Sequence, residues 1–414
     1  MDDDLPSRNS NAKPGSGATR SGASGWTAEM VETASAISSD IWDKCAGGEN
    51  PLLKHAFFKA LEDSRSACEA TGWIPRHLIL KNNSGQICAI MPLYLKTHSY
   101  GEYVFDHSWA DAWRRAGGQY YPKAQGGIPF TPVPGQRLLV DPSLTAEQAR
   151  DARHLLAEAC LGCVEQLNLS SAHITFLSKA EHDALTQKTA AGTSGRWISR
   201  LGLQFHWHNQ SYTSFDDFLA RMASRKRKSL RRERRDIANA GVSFAQKQGD
   251  DLTVKDWDDF YRFYLSTIDR KWGSAYLTRD FFDQIHQTMR DHILLVMASK
   301  DDGAVAGAIN FIGQDTLYGR NWGSMIDIPF LHFETCYYQA IDYAISHGLA
   351  RVEAGAQGLH KVQRGYAPVL TYSAHYMNND QFNDAVADFT AREAKQVERE
   401  MHELLSWLPY KGES

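Results

Sequence analysis

The sequence lacks any long run of apolar residues. No stretch among its 414 residues approaches the roughly 18 consecutive apolar residues that a membrane-crossing helix needs. The chain opens on three acidic residues after Met1 and has no apolar segment behind them, which is unlike a secretory signal. We therefore expect a cytoplasmic protein without a membrane span.

The sequence also lacks a large excess of positive or negative charge. The 45 Lys and Arg residues nearly balance 49 Asp and Glu residues, which leaves a net charge of −4. This balance excludes a protein that binds nucleic acid or membrane through its overall charge. A hydrophobic content of 43% is ordinary for a globular enzyme, and the length suffices for two or three domains.

Cysteine is rare, and no metal-binding pattern includes it. Cys160 and Cys163 form one C-x-x-C, but it lies inside a helical pattern and has no second Cys or His pair at metal-ligand spacing. We therefore predict no bound metal and reduced, structural thiols. The Walker loop and the G-x-G-x-x-G, G-x-S-x-G and H-E-x-x-H motifs are missing as well.

The patterns that are present indicate two similar units. Residues 1–25 are rich in Ser, Gly, Ala and Asn and predict a disordered tail. The order helix, hairpin, strand, helix, strand then occurs twice, which predicts one α/β domain over 26–205 and another over 206–379. An apolar stripe predicts a C-terminal helix within 380–414, packed on the domains or serving as an oligomer contact.

Some elements can be placed more closely. The runs 77–80 and 87–90 flank an Asn-Ser-Gly turn and predict a β-hairpin. Residues 100–105 resemble a strand. Residues 215–240 and 254–269 predict helices.

One segment concentrates positive charge. Eight of the eleven residues from Arg225 to Arg235 are Lys or Arg. An apolar face at helical spacing predicts an amphipathic helix with a cationic outer surface that attracts phosphate. The alternative is a solvated face paired with nearby carboxylates. The candidate donor-binding residues here are Arg225, Lys226, Arg227, Lys228 and Arg231.

Two further segments carry candidate catalytic groups. His332 and Glu334 stand where a loop should feed a helix, and either could take the proton of an attacking amine. Helix capping and packing would explain them equally well. In the Gly-containing segment 355–366, His360 could steady an oxyanion, and Lys361 and Arg364 could bind the donor. A structural turn is the alternative there.

A rigid, aromatic and proline-rich stretch follows the first hairpin. Loops of this kind on a firm scaffold often line binding sites, although a structural covering loop is the alternative. The candidate binding residues in it are Asp106, Trp109, Tyr121, Lys123, Gln125 and Arg137.

Several strings together resemble one family. The segments 91–103, 120–123 and 129–133, together with 331–334 and 336–339, are similar to the FemAB-like predicted N-acyltransferases over about residues 26–377. The related Fem enzymes join amino acids from aminoacyl-tRNA to peptidoglycan precursors. The resemblance therefore implies two GNAT-like domains and acyl transfer to an amine.

The sequence departs from this family at two places. Gln363 stands where the Fem loop usually carries a Lys, so catalytic help would come from His360, Lys361 or Arg364. The GNAT pyrophosphate loop has no full match, although residues 320–325 come near it. The second departure disfavours acetyl-CoA as the donor.

The sequence thus supports a soluble N-acyltransferase with no permanently bound cofactor. Its donor would be an aminoacyl-tRNA or an acyl-CoA, its acceptor a small-molecule amine, and tRNA a potential partner. A non-catalytic RNA- or phosphate-binding module on the same fold is the alternative, and a scaffold in cell-envelope assembly is a third. The sequence leaves the oligomeric state undetermined.

Overall fold

The computed structural model describes residues 25–187, 196–269, 275–355 and 358–411. Apart from Gly25, the predicted N-terminal tail lies outside the described residues. The strands are β1 (Thr27–Val31), β2 (Trp73–Pro75), β3 (His77–Lys81), β4 (Ile87–Met91), β5 (Leu93–Lys96), β6 (Lys123–Gly126), β7 (Leu139–Val140), β8 (Ser171–Leu177), β9 (Ile198–His208), β10 (Ser243–Gln248), β11 (Ile293–Lys300), β12 (Gly303–Ile312), β13 (Thr316–Ser324), β14 (Arg351–Glu353) and β15 (Ala367–Met377).

Helices cover both faces of these strands. They are α1 (Ser39–Ala46), α2 (His55–Asp63), α3 (His107–Arg115), α4 (Ala146–Gln166), α5 (Lys179–Thr186), α6 (Phe215–Ala220), α7 (Ser224–Asn239), α8 (Val254–Asp269), α9 (Arg279–Met289), α10 (Leu331–Phe333), α11 (Gln339–Ser346) and α12 (Asp380–Ser406).

One long sheet joins the two halves of the chain. Its eleven strands run in the order β10-β11-β12-β13-β14-β9-β15-β8-β6-β5-β2, and a separate four-stranded sheet has the order β1-β3-β4-β7. Strand β15 pairs with β9 on one side and with β8 of the first half on the other. The halves therefore share backbone hydrogen bonds as well as side-chain contacts.

A shared core also crosses the boundary between the halves. Phe57 of α2 packs edge-to-face against Phe281 of α9 and Phe311 of β12, with ring centroids 5.7 and 5.5 Å apart. Buried aromatic pairs of this geometry add about 0.5–1.5 kcal/mol each beyond their burial. The predicted boundary between residues 205 and 206 lies within β9.

Several predicted elements are confirmed and two are corrected. The hairpin is present as β3 and β4, and helix 254–269 as α8. The strand predicted over 100–105 is wrong, because Gly101 and Tyr103 have left-handed backbones, with φ of 80° and 61°. The helix predicted over 215–240 is two helices, α6 and α7. Between them the Ala223 N–H donates a hydrogen bond to the main-chain oxygen of Pro409, at 2.8 Å, and so leaves the helical pattern.

The predicted C-terminal helix is confirmed as α12. It packs along β9 and α3: Glu393 accepts two hydrogen bonds from Arg200, at 2.8 and 2.9 Å, and the Phe382 ring stacks on Trp113. Among the described residues, no helix has both the length and the apolar character to cross a lipid bilayer.

Candidate active site

A crevice opens where two parallel strands of the second half separate. Strands β13 and β14 pair only through three residues each, ending at Tyr318 and Glu353. Beyond Tyr318 the pairing of β13 with β12 is irregular, because its register shifts between Ala308 and Asn310. Such irregularities are frequent beside active sites. The crevice thus follows from the end of pairing between β13 and β14 and from the shifted register between β12 and β13.

The helix over this crevice is irregular too. It begins as α10, continues as a π-helical turn over Glu334–Tyr338, and ends as α11. Phe330, directly before it, has a φ of 71°, which is strained for an aromatic residue. π-Turns within helices are often found at functional sites.

Two cavities meet in the crevice. One, of about 240 Å³, lies beside the apolar loop that leads into α10, and it is lined in part by Ile326, Ile328 and Phe330. The other, of about 80 Å³, lies between β12, β13 and the π-turn. Trp322 and His332 line both cavities and therefore stand between them.

Two histidines predicted from the sequence come together here. The rings of His332 and His360 have centroids 5.9 Å apart, and the Tyr337 hydroxyl shares a 2.9 Å hydrogen bond with His360 Nε2. Burial, with the nearby Arg364 and Lys361 charges, holds the pKa of His360 below its ordinary value. A side chain at Gly358 would place its Cβ 2.4 Å from the His360 ring, so glycine is required there.

Glu334 points away from the histidines. Residues two apart on a helix face different directions. The carboxylate is buried and accepts hydrogen bonds from Arg234 of α7 at 2.9 Å and Gln339 at 2.8 Å. Burial raises its pKa, although Arg234 opposes the rise. The His332–Glu334 pair predicted from the sequence therefore does not form one acid–base unit.

Lys361 and Arg364 support the crevice from behind. The buried Lys361 ammonium donates to the Ala354 and Gly355 carbonyls at 2.6 and 3.0 Å, and burial lowers its pKa to about 8. The Arg364 guanidinium lies 3.4 Å from the Phe333 ring centroid and donates to Glu233 at 2.8 Å. Both cations are engaged by the protein itself.

The inner face of α7 packs against the site helix. Arg234 bridges Glu334 and Asp342, the latter at 2.7 Å, and its guanidinium lies over the Phe215 ring. Lys226 donates a hydrogen bond to Gln363, the residue that stands where the Fem loop usually has a lysine. A lysine ammonium therefore lies beside that position in this chain as well. This face therefore anchors α7 to the crevice.

The outer face of α7 is exposed and cationic. Arg231 and Arg232 pair with Asp216 and Asp236, at 2.8 and 3.3 Å. The other outward charges have no carboxylate partner among the residues that the structure describes. They are Arg225, Arg227, Lys228 and Arg235.

The candidates of the first half form a different cluster. Lys123 is fully buried and donates to Asp106 at 2.5 Å, Glu102 at 2.7 Å and Ser99 at 2.9 Å. The Tyr121 hydroxyl also bonds to Ser99, at 2.8 Å. Burial raises the pKa of Glu102 to about 7, while Lys123 holds the pKa of Asp106 well below its ordinary value against burial. This network contacts none of the crevice residues.

The remaining candidates support the first half internally. Trp109 lies under the Arg200 guanidinium, 4.6 Å from its ring centroid. Gln125 donates to Thr175 Oγ1 at 2.9 Å. Arg137 is fully buried and donates to main-chain carbonyls, among them that of Thr175 at 3.0 Å.

A larger cavity, of about 680 Å³, lies between α4 and α5 and contains none of the predicted residues. Apart from Glu181 its charged side chains lie at the surface, and Arg150 there approaches Asp151 at 3.7 Å with both side chains largely exposed. The carboxylate of Glu181, the buried acid in this cavity, accepts hydrogen bonds from the main-chain N–H groups of Arg137 and Leu138. No acid–base pair converges in it among the described residues, so the crevice is the better site.

Sequence reasoning missed several groups of the crevice. Arg320, Trp322 and Tyr337 line it. Glu353, at the foot of the separating strands, is buried and has a pKa raised to about 7 by that burial. A buried strand bearing Glu353 was a signal available in the sequence. Arg320, Trp322 and Tyr337 can be assigned to the crevice only once the separation of β13 from β14 is known.

The fold and this crevice define a GNAT-like α/β protein with two units. The sequence model of the FemAB_like family, described as peptidoglycan biosynthesis/recognition, matches residues 33–412, and the chain belongs to that family. A search among curated proteins gives no match.

Several solved structures are similar to this chain at low sequence identity. FemX is 12% identical, with a TM-score of 0.50 over 87% of this chain and all of that one. The C-terminal domain of a putative lysylphosphatidylglycerol synthetase from Agrobacterium fabrum is 11% identical, with a TM-score of 0.49 over 86% of this chain and 95% of that one. L-PGS from Bacillus licheniformis is 10% identical, with a TM-score of 0.47 over 83% and 98%.

Proposed function

We propose that the protein is an N-acyltransferase that joins an activated acyl group to an amine in the crevice between β13 and β14. The observation that carries the proposal is the approach of His360 to His332, which lines a cavity beneath a π-turn. Two neighbouring imidazoles supply a proton acceptor and a hydrogen-bond donor.

The transfer step uses both histidines. The amine nitrogen attacks the acyl carbonyl carbon and forms the C–N bond, and His332 takes the proton that the nitrogen loses. His360, oriented by Tyr337, donates a hydrogen bond to the carbonyl oxygen as it gains negative charge. The carbonyl re-forms, the bond to the leaving oxygen or sulfur breaks, and the leaving group receives the proton.

An aminoacyl-tRNA is the donor we favour over an acyl-CoA. The loop before α10, where a pyrophosphate would meet a helix N-terminus, contains the acidic Asp327 and also Pro329, which has no N–H. The exposed cations of α7 offer a surface for an RNA backbone instead. The family description supports a peptidoglycan precursor as the source of the acceptor amine.

Single-turnover transfer from a mixed pool of radiolabelled aminoacyl-tRNA to a peptidoglycan precursor tests this function. We expect His332→Ala and His360→Ala each to slow transfer by roughly 10²–10⁴-fold, the usual contribution of a positioned acid or base. His347→Ala, at the exposed end of α11, is the matched control and should retain full rate.

Glu334→Gln separates the two candidate bases. Because this carboxylate faces Arg234, the variant should keep most of the rate while losing some thermal stability. A loss equal to that of His332→Ala would instead make Glu334 the base. RNA binding without transfer from any charged tRNA or acyl-CoA would favour the non-catalytic alternative.

A further inference from the structure

Arg320 occupies an unusual place at the joint between the halves. It lies on β13 where the pairing with β12 is irregular, and it lines the same 80 Å³ cavity as His332. Its Nη2 donates to the main-chain oxygen of Phe130 in the first half, with Thr131 Oγ1 at 3.4 Å. It thus connects the crevice of the second half to the first.

The charge of this guanidinium is not matched by a carboxylate in the described part of the chain. The partly buried Arg200, Arg234 and Arg364 each pair with a carboxylate, and the fully buried Arg137 donates to main-chain carbonyls through Nε, Nη1 and Nη2. No carboxylate pairs with Arg320 among the residues that the structure describes, and burial lowers the pKa of its guanidinium against the opposing effect of the Tyr103 and Tyr264 hydroxyls. Arg320 is half-buried, and shielding a cation partly from water without an opposite charge is unfavourable, so the site favours an incoming anion.

The first half holds the guanidinium in position. Phe130 has a φ of 57°, a strained value for an aromatic residue, and its ring stacks on Tyr276 with centroids 4.9 Å apart. Gly101 admits this ring, since a Cβ there would lie 2.6 Å from Phe130 Cδ1. Both hydrogen bonds that Arg320 makes to described residues come from Nη2, and within those residues its other N–H groups remain to meet a ligand.

We propose that Arg320 binds an anionic group of a substrate whose reacting atom lies at His332. The proposal rests on the function proposed above and narrows the substrate class to molecules with a carboxylate or a phosphate near the reacting amine or acyl carbon. A cavity of 80 Å³ takes a terminal group, since sites for whole drug-sized ligands span roughly 300–1,000 Å³. The guanidinium fork matches the paired oxygens of either anion.

Anion binding tests the proposal without any turnover. Melting curves of the full chain would be recorded with sodium acetate or sodium phosphate against sodium chloride of equal ionic strength. We expect one of the two anions to raise the melting temperature of the wild type selectively. Acetate alone would indicate a substrate carboxylate, and phosphate alone a phosphate group. The selective rise should vanish in Arg320→Gln and persist in part in Arg320→Lys.

Arg290→Gln is the control, because Arg290 already pairs with Asp250, at 2.9 Å and on the surface. It should keep the full anion effect. Arg320→Met adds a second readout: removing an uncompensated cation should leave the melting temperature unchanged or higher. A clear fall in that variant, or equal anion effects in wild type and Arg320→Gln, would overturn the proposal.

Kinetics distinguish this failure from failure of the proposed function. If transfer proceeds and Arg320→Gln raises KM for one substrate at least tenfold with kcat little changed, Arg320 binds that substrate. If transfer proceeds with unaltered KM values in Arg320→Gln, the anion site is refuted while the function stands. If no transfer occurs but anion binding depends on Arg320, the function falls and the site remains.

Discussion

Some residues of the crevice line its cavities, and others hold the surrounding elements in place. His332 lines both cavities with His360 beside it, whereas Glu334, two positions along the helix from His332, faces α7. Lys361 sits behind them with its ammonium on the carbonyls of Ala354 and Gly355, and Ala354 itself lines the cavity. The charge state of Lys361 therefore affects the wall of the site.

This arrangement predicts a loss of activity at moderately alkaline pH. The folded-state pKa of Lys361 is lowered to about 8, so its ammonium is present below that pH and is lost as the pH rises through it. Neutral amine weakens the two charge-assisted hydrogen bonds, and we expect the transfer rate to fall with a midpoint near pH 8. A rate profile from pH 6 to 10 measures this.

The matched variant is Lys361→Arg, which stays charged throughout that range. If it folds with wild-type stability, its rate should hold to higher pH than that of the wild type. An unchanged alkaline midpoint in Lys361→Arg would show that another group titrates there.

At the scale of elements, short-range patterns were readable from the sequence and long-range pairings were not. The hairpin β3–β4 has its turn residues between apolar runs, and α8 has helical spacing throughout. The 100–105 segment has strand-like composition, but left-handed residues at 101 and 103 break it. Strand β15 acquires its place only from β8 and β9, which are distant in sequence.

The site shows the same division. The His332 and His360 segments were identifiable because each combines a titratable group with turn or helix-start residues. Their contact, and the opposite direction of Glu334, depend on the π-turn and on the separation of β13 from β14. Arg320 stood out in the sequence only as part of the near match to the GNAT pyrophosphate loop, because its missing counter-ion is visible only when its neighbours are known.

The outer face of α7 carries a prediction about salt. Replacing Arg225, Lys228 and Arg235 together by Ala should weaken tRNA binding and reduce the slope of log affinity against log salt by roughly 2–3, since each phosphate contact contributes about 0.7–0.9. Filter binding of tRNA from 50 to 300 mM salt measures both quantities.

Arg232→Ala provides the comparison, because that guanidinium already has Asp236 as its partner at 3.3 Å. We expect a slope close to wild type for it. Identical slopes for the triple variant and the wild type would exclude the outer face of α7 as an RNA-binding surface.

The whole molecule is built around one continuous sheet. Strand β15, from the end of the second half, lies between β9 and β8, and the apolar core of α2, α9 and β12 spans the same boundary. Two units of similar design are thus joined by main-chain pairing. This differs from two domains tethered by a linker.

Separately expressed halves should therefore fail to fold. A cut between residues 205 and 206 divides β9 and leaves β8 without β15, which exposes unpaired strand edges. We expect residues 26–205 and 206–379 each to be insoluble or to lack a cooperative thermal transition by circular dichroism, while the full chain melts in one step. Two independent cooperative transitions would contradict this.

The partition between the two cavities has a consequence for the order of events. Because Trp322 and His332 line both spaces, the proposed transfer places the reacting group of each substrate in its own cavity, on opposite sides of one imidazole. In that reaction the acyl group would pass directly from donor to acceptor within a ternary complex. It would form no covalent intermediate on a protein nucleophile.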